Sequence, residues 1–212
     1  MRLFNINDMV KAGCQDCVGC FDCCCKMGDT IVLDPLDIYH LMQCLHITFE
    51  EMLKRSIALH VTEGLILPHV RMTGEEERCT FLSDMGRCTI HQFRPGLCRT
   101  FPLGRQYTDG KLAYFLLDGA CTKKQHSKVK IHKWVDMQDI THYEDYLVSW
   151  HYFLSDQKKR ALTFSDNVVV LKNMNMSLLH YFYMIPYDME RSFISQYEER
   201  MKHYEQCNFI NE

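Results

Sequence analysis

Between Cys14 and Cys25 the chain reads CQDCVGCFDCCC, so six of its twelve cysteines fall within twelve residues. Free cysteine is kept for its reactivity and metal affinity more than for its volume, and thiols this dense are not ordinary core packing. Steps of three also argue against a helical face. Each step on an α-helix drifts by about 60°, which would carry Cys14 and Cys23 to opposite sides. A loop wound around a metal, with a thiolate converging every third residue, is the local geometry of cysteine-ligated iron–sulfur and zinc sites. The run therefore predicts metal binding.

The remaining bounds narrow the class. At 212 residues the chain is long enough to bury a real core without disulfides. The opening MRLFNINDMVKAG scatters polar residues where the apolar region of a signal peptide belongs, and no run approaches a membrane span. A reducing cytoplasm is the expected compartment, where many cysteines read as metal ligands or redox groups. A net charge of −3 with no long basic block leaves no footprint for nucleic acid.

Cysteine usage divides the chain. Only Cys207 lies beyond residue 122, where the composition turns to Tyr, Phe, Met and Leu. The division predicts a cysteine-cluster metal-binding region over 1–125 and a helical C-terminal cap over 126–212. Asp34-Pro35 reads as an N-cap and first helical position opening a helix over about Leu36 to Cys44. Thr48 and Glu51 form a capping box for a second helix to about Leu59. GLILPHVRM is strand-like, and its proline predicts an edge or bent strand. Runs at 103–107 and 111–117 flank Thr108-Asp109-Gly110, a hairpin signal.

From about Thr141 the pattern is helical. Tyr143, Tyr146, Leu147, Trp150, Phe153 and Leu154 fall on one apolar face. Leu171, Met174, Leu178 and Phe182 make a second stripe, and Met189, Phe193, Tyr197 and Met201 a third after Pro186. The stripes read as packing of a three-helix cap rather than as a cofactor box.

A second cluster makes the first specific. Residues 79–105 read CTFLSDMGRCTIHQFRPGLCRTFPLGR, with Cys79, Cys88 and Cys98 among turn residues, and Cys121 follows in DGACTKK. Here the chain resembles the CxxCxxCC cysteine-cluster family, the YkgJ-like zinc- or iron-chelating domain. The match is CVGCFDCC at Cys17, Cys20, Cys23 and Cys24, then CxFLxxxGRCxI and RPxxCRxFP from Cys79 to Pro102, and it covers about residues 14 to 121. The resemblance implies eight metal-binding cysteines: Cys17, Cys20, Cys23, Cys24, Cys79, Cys88, Cys98 and Cys121. The family also includes a domain of flagellin lysine-N-methylases, similar to iron–sulfur proteins that move a methyl group from S-adenosylmethionine. Cys25 stands where a basic residue is commoner, Cys14 adds a turn to the repeat, and His91 replaces a common tyrosine. The ligand register stays open at these three.

Eight thiols suffice for two four-ligand sites of either kind. In an extended backbone Cys23 and Cys24 would point to opposite sides, which favours two neighbouring centres or one centre with a spare thiolate. Repeated Cys-x2-Cys-x2-Cys is commoner around iron–sulfur clusters, so 4Fe–4S is favoured and zinc stays open.

Arg94, Arg99 and Arg105 flank Cys98. They read either as compensation for thiolate charge, one of them binding an anionic substrate, or as surface partners of Asp84 and Glu75 to Glu77. Cys44 and Cys207 read as packing or surface thiols. No phosphate loop, nucleophile elbow, HExxH or paired-carboxylate arrangement stands out. The expected fold is α+β: an irregular cysteine-rich core with a small sheet or hairpin, covered by C-terminal helices. The expected role is holding iron–sulfur or zinc, with a redox protein, a lysine-methylase-like enzyme and a structural zinc module as the open classes. Metal ions are the expected partners, with a protein partner contacted by the aromatic C-terminal helices.

Overall fold

Every strand finds its main partner in a two-stranded antiparallel pair, and helices pack over these ribbons to enclose one core. The fold is α+β. The computed structural model describes residues 1–13, 20–122 and 126–207. Among these residues no helix is long and apolar enough to cross a membrane.

Helix α1 (Pro35–Leu45) starts where its residues dictate. The Asp34 side chain accepts from the Asp37 N–H at 2.9 Å, and the Asp37 carboxylate accepts from the Asp34 N–H at 3.1 Å. Ile38 and Leu41 face the core with no exposure. Helix α2 (Phe49–Arg55) carries the Thr48–Glu51 capping box. It ends four residues short of the expected Leu59, because Ile57 already belongs to a strand. Strands β2 (Ile57–Thr62) and β3 (Leu65–Val70) pair over six positions around Glu63-Gly64, both at positive φ. That is the left-handed backbone a two-residue hairpin turn needs, and the β-branched residues before it fit the ladder better than a helix.

The proline strand is not an edge. Strand β3 is flanked by β2 on one side and by Ile31 to Leu33 on the other, where Leu33 N–H donates to Pro68 O at 2.8 Å and Val70 N–H to Ile31 O at 3.0 Å. Pro68 has no N–H to return to the Leu33 carbonyl, and the Tyr183 hydroxyl donates there instead, at 3.1 Å.

The hairpin signal holds: β6 (Leu103–Thr108) and β7 (Lys111–Leu116) pair around Asp109 and Gly110, both at positive φ. Two further ribbons join distant or very short segments. Strand β1 (Met9–Gly13) pairs with β8 (Ser127–Lys130), and β4 (Met72–Thr73) with β5 (Arg78–Cys79). Short helices α3 (Gly96–Thr100) and α4 (Ile131–Val135) lie before and after the β6–β7 hairpin in sequence.

The C-terminal helices are α5 (Ile140–Thr163), α6 (Val168–Leu179), which continues through a π-helical turn at His180–Met184, and α7 (Phe193–Glu205). Their stripes interlock. Tyr146 meets Phe193 and Tyr197 edge-on with ring centroids 5.0 and 4.9 Å apart, and Trp150 meets Phe182 at 5.1 Å. Such pairs add about 0.5–1.5 kcal/mol beyond burial. Met189 is the exception, lying outside α7 and partly exposed. Hydroxyls tie the helices to the cysteine half: Tyr146 Oη accepts from Leu36 N–H at 3.2 Å, and Tyr143 Oη from Arg105 at 2.8 Å.

Candidate metal centre

Residues 22–24 close a 3-10 turn, with Cys24 N–H donating to Phe21 O at 2.8 Å and Cys25 N–H to Asp22 O at 3.3 Å. The turn docks on the β4–β5 ribbon: Lys26 N–H donates to Glu77 O at 2.9 Å, and Cys25 bridges Arg78. From Cys79 at the end of β5 the chain reverses through Ser83–Gly86, where Ser83 N–H donates to Arg87 O at 2.9 Å and Leu82 bridges Cys88. Gly86 has φ +68°, and a Cβ there would come within 2.8 Å of the Phe21 ring. The two cysteine motifs are thus pressed together, with Phe21 between them.

Helix α3 supplies Cys98, and the network beneath it is polar and closed. The Gly96 N–H donates to Asp37 Oδ1 at 2.7 Å. Thr100 Oγ1 donates to Gly96 O at 2.7 Å and accepts from Arg105 at 2.9 Å. Arg99 spends its guanidinium on three carbonyls: Arg94 at 3.0 Å, Asp136 at 3.1 Å and Gln92. Arg99 and Arg105 are therefore structural. Neither pairs with the surface acids near Asp84 and Glu75 to Glu77, because both are turned inward around α3.

These segments enclose a cavity of about 350 Å³. Cys20, Cys23, Cys24, Cys79, Cys88 and Cys98 line it, together with Phe21, Met27, Phe81, Ile90 and other apolar side chains. All six thiols are free. Cys23 and Cys24 share the wall, contrary to the expectation that neighbours diverge; the 3-10 turn replaces the extended backbone on which it rested. His91 and Arg94 also face the cavity, and no carboxylate lines it among the described residues.

Cys23, Cys79, Cys88 and Cys98 lie near enough to one another that negative charge on one would oppose ionisation of the others. They come from the 3-10 turn, β5, the loop before residue 91, and α3. Burial is the main cause that pushes the thiols of Cys79, Cys88 and Cys98 up. Cys23 is pushed up first by its hydrogen bond with Cys24, then by burial. Such thiols stay protonated at neutral pH until a cation displaces the protons. Soft, all-sulfur donors on an apolar wall match zinc or iron rather than hard cations. Among the described residues no three Cys, His, Asp or Glu side chains close on a single ion. The thiols stand around the wall of a larger space.

Cys121 lies off the cavity wall but near its first motif, since the hydroxyl of the adjacent Thr122 donates to Asp22. Cys14 and Cys17 fall outside the described residues. Cys25 sits beside Cys79. Cys44 packs against the core, within electrostatic reach of Cys88, and its thiol is pushed up by burial. The Cys207 thiol donates to His203 O at 3.6 Å. What sequence reasoning missed is the framework: Asp37 under α3 and Gly86 against Phe21. Only the glycine turn carried a readable signal.

No curated protein and no solved structure matches the chain. A family model described as "CxxCxxCC: Putative zinc- or iron-chelating domain" matches residues 16–133, more than half of the chain. With that match spanning both cysteine motifs, the chain belongs to the CxxCxxCC family.

Proposed function

We propose that the protein holds an iron–sulfur cluster through Cys23, Cys79, Cys88 and Cys98, and that Cys17, Cys20, Cys24 and Cys121 form the ligand set of a neighbouring centre. The observation that carries this reading is the thiol-lined apolar cavity of about 350 Å³. A zinc site draws four sulfurs to about 2.3 Å from one ion and leaves no such space. A cube of iron and sulfide ligated at its corners needs it. The nearness of these four thiols, brought from four segments to one cavity wall, supports the first set. The Thr122–Asp22 contact supports bringing Cys121 to the first motif for the second. Thiolates serve as metal ligands in a reducing, cytoplasmic setting.

The group, when bound, supplies electron transfer or a rigid crosslink. The chain's own residues exclude water with Phe21, Phe81 and Met27 and hold Cys98 in place through Asp37 and Gly96. Most of the C-terminal aromatics are buried, with Tyr152 exposed, so a partner protein approaching that cap would meet Tyr152 and exposed aliphatic side chains such as Leu162, Val168 and Val169.

Anaerobic purification with metal and acid-labile sulfide analysis tests the reading. Brown protein with matching iron and sulfide supports it. Colourless protein with stoichiometric zinc and no sulfide replaces the cluster with a structural zinc centre, and metal-free protein removes the chelating function altogether.

A further inference from the structure

Among the described residues, Arg94 is the half-buried cation on the cavity wall, and no carboxylate lines that wall beside it. Its guanidinium lies against the His91 ring, with Nη1 3.3 Å from Nδ1. Its Nε is buried and has no hydrogen-bond partner. Its backbone carbonyl is already taken by Arg99 Nε, which fixes the loop that presents it. Arg99 and Arg105 are committed to carbonyls, Thr100 and Tyr143. Arg87 is exposed at the rim. No Asp or Glu among the described residues lines the cavity. A half-buried charge with an idle donor is costly unless the occupant of the site brings the opposite charge.

We infer that Arg94 is the counter-cation of the metal–thiolate centre, a positioning residue that sets how firmly the cavity keeps its metal. The inference rests on the four-thiolate reading above. Four thiolates around an iron–sulfide core carrying about two positive charges leave about two negative charges over, and Cys88, one of the four, lies within electrostatic reach of the guanidinium. The idle Nε–H is a donor for a ligand sulfur, and His91 restrains the guanidinium. The occupant this wall fits is an anionic metal–thiolate complex, not a neutral apolar molecule.

The test compares metal release to a chromogenic chelator from loaded wild type, Arg94→Gln and Arg94→Lys. Outer-shell partners of metal ligands are worth about 10–100-fold in affinity. Arg94→Gln should therefore release metal at least about tenfold faster, while Arg94→Lys, which keeps the charge, should stay within about threefold of wild type. Equal release from wild type and Arg94→Gln overturns the inference, as does equal acceleration in both variants, which marks a packing role. Should Arg94→Gln fail to fold, Arg94→Lys alone decides, and tenfold faster release from it also overturns the inference. A wild type that binds no metal sinks the chelating function instead, a separately readable outcome.

Discussion

Asp37 Oδ1 accepts the Gly96 N–H at 2.7 Å, so the first turn of α1 holds the first residue of the helix that carries Cys98. The other carboxylate oxygen accepts the Asp34 N–H at 3.1 Å. Both partners are backbone donors, and an amide in place of the carboxylate satisfies one and opposes the other. Asp37→Asn should therefore cost about 1–3 kcal/mol, the penalty for a buried polar group left unpaired. Chemical denaturation of the metal-free protein reads this directly, and an unchanged midpoint would show that the contact carries no weight.

The same carboxyl makes stability depend on pH. Burial, and then the neighbouring Asp34, push Asp37 well above the usual carboxylate range. A raised folded value means that the folded state holds the proton more tightly, so this contribution is present below the unfolded value of about 3.9 and is lost as pH rises through the folded one. His40 works the other way. Burial, with Arg99 nearby, lowers it to about 4. Its contribution is present above the unfolded value of about 6.5 and is lost as pH falls toward 4. Urea melts at pH 7 and pH 4.5 should show His40→Gln losing less stability on acidification than wild type; an identical loss refutes the assignment.

Gly86 tests the contact between the two motifs. With φ at +68° and the Phe21 ring 2.8 Å from where an alanine Cβ would sit, Gly86→Ala meets both backbone strain and a clash. The expected cost is about 1–3 kcal/mol, with Phe21 displaced from the cavity mouth and metal lost more readily. Unchanged melting temperature and metal content would mean that the ring simply swings aside.

Cys→Ser separates ligands from bystanders, because it keeps the volume and exchanges a soft thiolate for a hard hydroxyl. Substitution at Cys23, Cys88 or Cys98 should lower bound metal by at least one site per chain, with Cys20 the same if the second centre forms. Cys44→Ser and Cys207→Ser should leave metal intact, and Cys14 and Cys25 should fall between. Cys44→Ser stripping metal as thoroughly as Cys23→Ser would assign the site to a different set of thiols.

The features legible in the sequence are those whose causes lie a few residues apart. Asp34-Pro35 opens α1, Thr48 and Glu51 cap α2, Asp109-Gly110 turns the β6–β7 hairpin, and the periodic aromatics build the C-terminal helices. The two cysteine motifs likewise announce metal chemistry and the family. Local pattern carries α2 too far because Ile57 to Thr62 suits either structure, and only the ladder to β3 decides. Strand β1 has no local signature, since a Gly13–Ser127 contact spans 114 residues. Tertiary structure alone also makes Arg99 a staple, turns Cys23 and Cys24 onto one wall, and sets Arg94 on that wall where, among the described residues, no carboxylate joins it. The reason is physical: capping and turn geometry are local backbone preferences, whereas charge compensation and shared cavity walls depend on what distant segments bring within a few ångströms.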